Sequence, residues 1–329
     1  MSRSACSRVR TKFPSSASWN HIMQSRFVLA GSLLLLACGE DFDPGSRVTD
    51  FRVLAVQAEP AYVSPGETAH LSVLSHQPSG TPVNYAWAVC PSPREVTTEG
   101  CLEQLEELER TTGAIPLLGM GEELGEIDLE VPANALDSIP ESARAGAAIG
   151  VLNVACPGSL ELGGSAQGLP FRCFDASDGR ELALDEQVVG MKRLFVRERD
   201  RNQNPVIERV TFEGRDWPED EVPEVDACDE NGNRFDDCSE ALTRAMAAIP
   251  RASDFESGTD EFGRDFNEQI VVQYYATEGL FENEVRIGEA PETSWVARKR
   301  AAGSDVRFWF VVRDDRGGVT WATRRVRVR

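Results

Sequence analysis

Apolar side chains recur at every second residue in short runs along most of this chain, the pattern of half-buried β-strands. Thr68 to Val73 places Ala69, Leu71 and Val73 on one face and Thr68, His70 and Ser72 on the other. Tyr85, Trp87 and Val89 share a face in the same way. Residues 51–56, 127–131, 145–156, 187–197, 206–212, 270–277, 306–312 and 319–328 read as further strands. Between the first two, Val63-Ser-Pro-Gly-Glu predicts a turn: Pro65 presets φ, and Gly66 takes the positive φ of a type II turn. Two stretches read as helical. Residues 102–110 set Leu102, Leu105 and Leu108 on one stripe, and residues 240–249 have the Ala/Met-rich texture of a helix.

An apolar run of 11 residues, Phe27 to Ala37, stands apart from this pattern. Arg26 precedes it, and it is about half as long as a membrane-spanning helix. Its end, Leu35-Leu36-Ala37-Cys38, resembles the lipobox of bacterial lipoproteins. That resemblance implies cleavage before Cys38, acylation of its sulfur and acylation of the new amino terminus. Two or more acyl chains hold a protein on a bilayer durably. Met23 lies three residues before Arg26 and completes such a signal by itself, so Met23 is the expected start and residues 1–37 are excluded from the fold. Gly39 follows the cysteine; an aspartate there is the inner-membrane retention signal in some lipoproteins. The expected location is therefore the cell envelope, at the outer membrane.

Residues 1–37 hold five basic residues (Arg3, Arg8, Arg10, Lys12, Arg26) and no acidic ones, which leaves 29 Lys/Arg against 54 Asp/Glu from residue 38, a net charge of −25. That balance argues against nucleic acid, whose binding depends on phosphate neutralisation. It fits the solubility of an exported domain, or divalent-cation binding. The remaining 292 residues suffice for two ordinary domains.

Six cysteines follow Cys38, and an even number in an exported chain reads as disulfides. The spacing predicts three local pairs, Cys90–Cys101, Cys156–Cys173 and Cys228–Cys238. Each would contribute ~3 kcal/mol through the unfolded state. The close CxxC doublets of zinc sites do not occur.

A strand, a Pro-Gly turn, an alternating strand and a strand centred on Trp87 resemble the first half of a bacterial immunoglobulin-like or PKD-like sandwich. There the tryptophan fills the space between the sheets. The segment VVRDDRGGVTWATRRVRV is similar to the last hairpin of such domains. Tyr275 is expected to stand where Trp87 stands in the first copy. The resemblance implies an all-β chain of two immunoglobulin-like β-sandwich domains. A short tether (38–46) leads to domain 1 (47–198) with a helical insertion. A polar, proline-ended linker (199–205) leads to domain 2 (206–329) with an acidic loop insertion. A single large β-domain is the alternative.

Signals for chemistry are sparse. No Gly-x-Ser-x-Gly elbow occurs, and His70 and His76, the only histidines after residue 38, lack an HExxH context. Paired cysteines leave no thiol nucleophile. The expectation is no enzyme. One constellation stands out: Asp229, Asn231, Asn233, Asp237 and Glu240 occupy positions 1, 3, 5, 9 and 12 of a twelve-residue frame. This resembles an EF-hand calcium loop. Arg234 stands at position 6, where that loop needs glycine, so the frame predicts weak calcium binding at most, against a solvated acidic hairpin. The expected role is a structural or contact one. The alternatives are a module that binds carbohydrate or protein, with or without calcium, and an exported hydrolase. Residues 91–124, 157–186 and 213–260 are the expected contact loops.

Overall fold

The strands sort into four large sheets that pack as two β-sandwiches. The computed structural model describes residues 44–90, 97–122, 124–165, 169–199, 201–229, 234–260 and 263–329. The first sandwich sets a three-stranded antiparallel sheet (Arg52–Glu59, Thr68–His76, Glu126–Glu130) against a five-stranded one. The latter runs in the order Tyr62–Val63, Val188–Val196, Ala148–Cys156, Asn84–Val89, Leu117–Gly121. Trp87 lies fully buried between them, with Leu71, Val151 and Leu194 around it. Its indole N–H, which would be costly to bury unbonded, donates to the Leu124 carbonyl at 2.7 Å.

The outer face of the five-stranded sheet is covered as well. The helix Thr98–Thr112 starts where the Thr97 side chain accepts from the Gly100 N–H, and stops at Gly113 in a left-handed conformation. Its Cys101 and Leu105 pack on Ala86, Ala88, Leu152, Val154 and Phe171. The Ala148–Cys156 strand is thus buried on both faces, which explains its nearly unbroken apolar sequence. The hairpin Gly158–Leu162/Phe171–Asp175 packs beside it, with Phe171 in the same cluster and Asn84 donating to the Gly158 carbonyl at 2.6 Å.

The second sandwich pairs two five-stranded sheets. One is ordered Arg215–Asp216, Ile207–Phe212, Arg244–Pro250, Thr293–Val296, Leu280–Phe281. The other is ordered Glu224–Val225, Val319–Val328, Asp305–Asp314, Ile270–Ala276, Val285–Ile287. Its core is aromatic: Trp217, Tyr274, Trp295, Phe308 and Phe310 meet with Met246. The Trp295 N–H donates to the Glu278 carbonyl at 3.2 Å, and the Tyr274 hydroxyl donates to the Pro291 carbonyl.

The fold class is the expected one, and two local expectations are corrected. Residues 240–249 are not helical. A short 3-10 turn, Glu240–Leu242, leads into the strand Arg244–Pro250, whose Met246, Ala247 and Ala248 are buried between two neighbouring strands. Sheet pairing overrides helix propensity here. The core position in Ile270–Ala276 belongs to Tyr274 rather than Tyr275. Ile270, Val272, Tyr274 and Ala276 point inward, and Tyr275 lies on the opposite face. The strand is apolar on both faces, so alternation alone did not say which one meets the core.

The three disulfides join Cys90 to Cys101, Cys156 to Cys173 and Cys228 to Cys238, the pairs predicted from spacing. Among the described residues no helix is long and apolar enough to cross a membrane.

Candidate functional site

Cys38, Asn231 and Asn233 lie outside the described residues. Asp229, Asp237 and Glu240 are all exposed. Asp237 accepts the Arg234 backbone N–H at 3.1 Å and caps the 3-10 turn Phe235–Asp237. Among the described residues no three Asp, Glu, His or Cys side chains are drawn together as a metal shell. His70 sits on the exposed face of its strand, 2.8 Å from Asp128 and 3.7 Å from Glu126. His76 packs its ring on Trp309, 4.7 Å between centroids. Burial, then the charge of Arg307, pushes its pKa down.

The feature that does bring distant residues together is the seam between the sandwiches. Asp305–Asp314 alternates Phe308, Phe310 and Val312 into the second core with Trp309 and Val311 on its other face. The outer pair meets Leu54 and Ala55 of the first sandwich, with Val48, Leu74, Tyr275 and Val319 beside them. Polar bonds stitch the rim. Gln57 donates to the Val319 carbonyl at 2.7 Å, Arg313 to that of Leu54 at 2.7 Å, and the Tyr62 hydroxyl to that of Arg316 at 3.1 Å.

Two connecting segments are drawn into this seam. Pro44–Val48 lies along Ile270–Ala276: the Val48 N–H donates to the Ala276 carbonyl at 2.8 Å, and the Ala276 N–H to the Ser46 carbonyl at 2.9 Å. Ser46 also donates to Glu284 at 2.8 Å. The end of the expected tether is therefore part of the fold. The polar segment 201–205 is likewise fixed. Asn202, 2% exposed, donates to Asp314 Oδ2 at 2.9 Å. Asn204 donates to the Ala58 carbonyl at 2.7 Å and accepts from the Val319 N–H at 2.9 Å.

Asp314 organises this corner. Its Oδ1 accepts the N–H groups of Arg316 (2.9 Å) and Gly318 (2.7 Å), which shapes the Asp-Gly turn recognised in the sequence. A Cβ on Gly318 would meet Asp314 Oδ2 at 2.1 Å and the Gln203 carbonyl at 2.8 Å, so only glycine allows the turn to seat on 203–205. Beside it a cavity of about 10 Å³ is lined by Asn202, Asp254, Glu256, Glu268 and Asp314. Glu268 is 7% exposed, and its Oε1 has no hydrogen-bond partner among the described residues. Burial first, then the charge of Asp314, pushes the Glu268 carboxyl up to about 7. Nothing in local sequence marked Glu268, Asp314 or Asn202 as partners.

Two clefts flank the seam. One, of about 670 Å³, is walled by Gln57, Tyr62, Asn204, Trp321 and Arg324. The other, of about 960 Å³, lies on the side of Lys192, Phe195 and Arg313.

No protein-family model and no curated protein sequence matches the chain. Among solved structures, it is similar to a nucleoside hydrolase-related hypothetical protein from Saccharophagus degradans that is associated with carbohydrate metabolism. The identity is 15% and the TM-score 0.23, over 39% of this chain and 26% of that one. The N-terminal Ig1-2 module of the Drosophila receptor protein tyrosine phosphatase DLAR is similar at 10% identity and TM-score 0.23, over 85% and 99%. The Yersinia pseudotuberculosis adhesin InvE is similar at 8% identity and TM-score 0.20, over 84% and 60%. The chain thus spans about a quarter of the length of the first of these. TM-scores this low carry no argument, and the sandwich assignment rests on the sheets themselves.

Proposed function

We propose that the chain from Cys38 onward is a lipid-anchored envelope protein of the outer membrane, whose two immunoglobulin-like sandwiches act as a non-catalytic contact module. The observation that supports this reading is the placement of the tryptophans. Trp87, Trp217, Trp295 and Trp309 are each 2% exposed or less. A sugar-stacking surface presents such rings to solvent; these four build two cores and the seam that locks them together, and Trp321 is half-buried in the wall of the smaller cleft. The result is a stiff body whose loops are displayed by a rigid scaffold.

Cys38→Ala tests the anchor. In cells fed labelled palmitate, the wild-type chain takes up label and sediments with membranes, whereas Cys38→Ala is unlabelled and leaves the membrane fraction or stays unprocessed. Label or unchanged sedimentation in the variant overturns the anchor. Photo-cross-linkers placed along 213–229 and 234–243 test the contact role. Capture of a protein from the native envelope at particular positions supports it, and uniform capture at every position counts against it.

A further inference from the structure

The larger cleft at the seam has an unusual charge. From residue 38 the chain carries a net charge of −25, yet six cationic side chains and only two carboxylates line this cleft. Both carboxylates are engaged. Asp260 is 2.7 Å from Arg264, and Asp315 accepts the Gln269 N–H at 3.3 Å.

Two of the cations come from different sandwiches and face the same space. Lys192, on Val188–Val196, donates to the Gly317 carbonyl at 2.9 Å. Arg313, near the end of Asp305–Asp314, donates to the Leu54 carbonyl at 2.7 Å and to the Gln273 amide oxygen at 2.9 Å. All three acceptors are neutral. These bonds orient the two heads, and neither head is ion-paired with a carboxylate among the described residues. Burial first, and then the like charge of Arg313, holds the Lys192 ammonium at about 8, with Asp314 pulling partly the other way. Burial lowers Arg313 too. Two partly buried like charges held in one cleft are costly unless an opposite charge joins them. The wall beside them is firm: Arg316 lies over the Phe266 ring at 4.6 Å and over the Tyr62 ring at 5.7 Å.

We propose that this cleft binds a phosphate group, seated between Lys192 and Arg313. A phosphate monoester carries close to two negative charges at neutral pH, which matches two adjacent cations; a single carboxylate leaves one unbalanced. Guanidinium and ammonium donors both suit phosphate oxygens. The group is either free in solution or the terminal phosphate of a lipid headgroup.

The test uses the chain from residue 38 with Cys38→Ser, which removes the acylated sulfur and keeps the whole described fold. Its outcome is therefore independent of whether Cys38 is lipidated in cells. Inorganic phosphate is titrated calorimetrically at pH 7.5, with sodium chloride holding ionic strength constant. Saturable millimolar binding is expected, weakened at least tenfold by Lys192→Met and kept within about threefold by Lys192→Arg. Phosphate is also expected to slow modification of Lys192 by an amine reagent severalfold in the unmutated chain, a measurement that needs no variant. Vesicles of phosphatidylcholine with and without phosphatidic acid identify the source. Binding only to free phosphate assigns a soluble ligand, and phosphate-dependent vesicle binding lost in Lys192→Met assigns a headgroup. Absence of binding in both arms, or binding that Lys192→Met leaves unchanged, overturns the site.

Discussion

Glu268→Gln should raise the thermal midpoint at pH 8 on the order of 5–10 °C and leave it nearly unchanged at pH 4. Glu268 is 7% exposed, and one of its oxygens has no partner among the described residues. Asp314, Glu256 and Asp315 all oppose its ionisation, and the Arg316 guanidinium alone favours it. Its carboxyl therefore titrates at about 7 in the folded chain, against 4.5 for an ordinary glutamate. A carboxyl with a raised folded pKa binds its proton more tightly in the folded state. The stability linked to that proton is fully present below pH 4.5 and is lost as pH rises through about 7. At 1.36 kcal/mol per unit, the loss at pH 8 is about 3 kcal/mol. Glutamine keeps the shape and removes the charge, so it removes the loss. Comparing variant with wild type at each pH cancels the titration of other groups. A midpoint difference that is the same at pH 4 and pH 8 would show that Glu268 ionises freely.

That corner also marks where sequence stops being informative. Strand positions were legible because period-two alternation is a local property, and the disulfide pairs because each closes a short loop. The Asp-Gly turn was legible as a turn, but the third bond of Asp314 reaches Asn202, 112 residues away. No local pattern encodes that pairing, nor does one bring Lys192 to Arg313. The run Phe308-Trp-Phe-Val-Val is apolar on both faces. Such a run says that a strand is covered twice and leaves open what covers it. The same ambiguity misplaced Tyr275, whose outward face serves the seam. At residues 240–249 alanine and methionine favoured helix, while two flanking strands decided for sheet. In the calcium-like frame, the ligand spacing was legible; Asp237 caps a 3-10 turn, and Asn231 and Asn233 lie outside the described residues.

Trp309→Ala should uncouple the two sandwiches without emptying either core. Trp309 is 2% exposed and points away from the second core, toward Leu54, Ala55 and the His76 ring. Its inward neighbours Phe308 and Phe310 keep their contacts with Tyr274 and Trp295. Truncating a buried tryptophan costs about 3–5 kcal/mol, the lost transfer energy plus the cavity left behind. Here that cost falls on the interface, where the remaining ties are a few apolar contacts and rim hydrogen bonds worth about 1 kcal/mol each. Calorimetry should show one cooperative transition in the wild type and two in Trp309→Ala. Limited proteolysis should then cut at 199–205, where Asn202 and Asn204 are held against the seam in the wild type. Trp295→Ala is the control: it opens the second core, lowers that sandwich's own stability by a similar amount, and leaves the seam contacts in place. The two variants cost alike in magnitude and differ in where the chain comes apart. A single transition in Trp309→Ala, with 199–205 still resistant, would mean that the polar ties alone hold the sandwiches together.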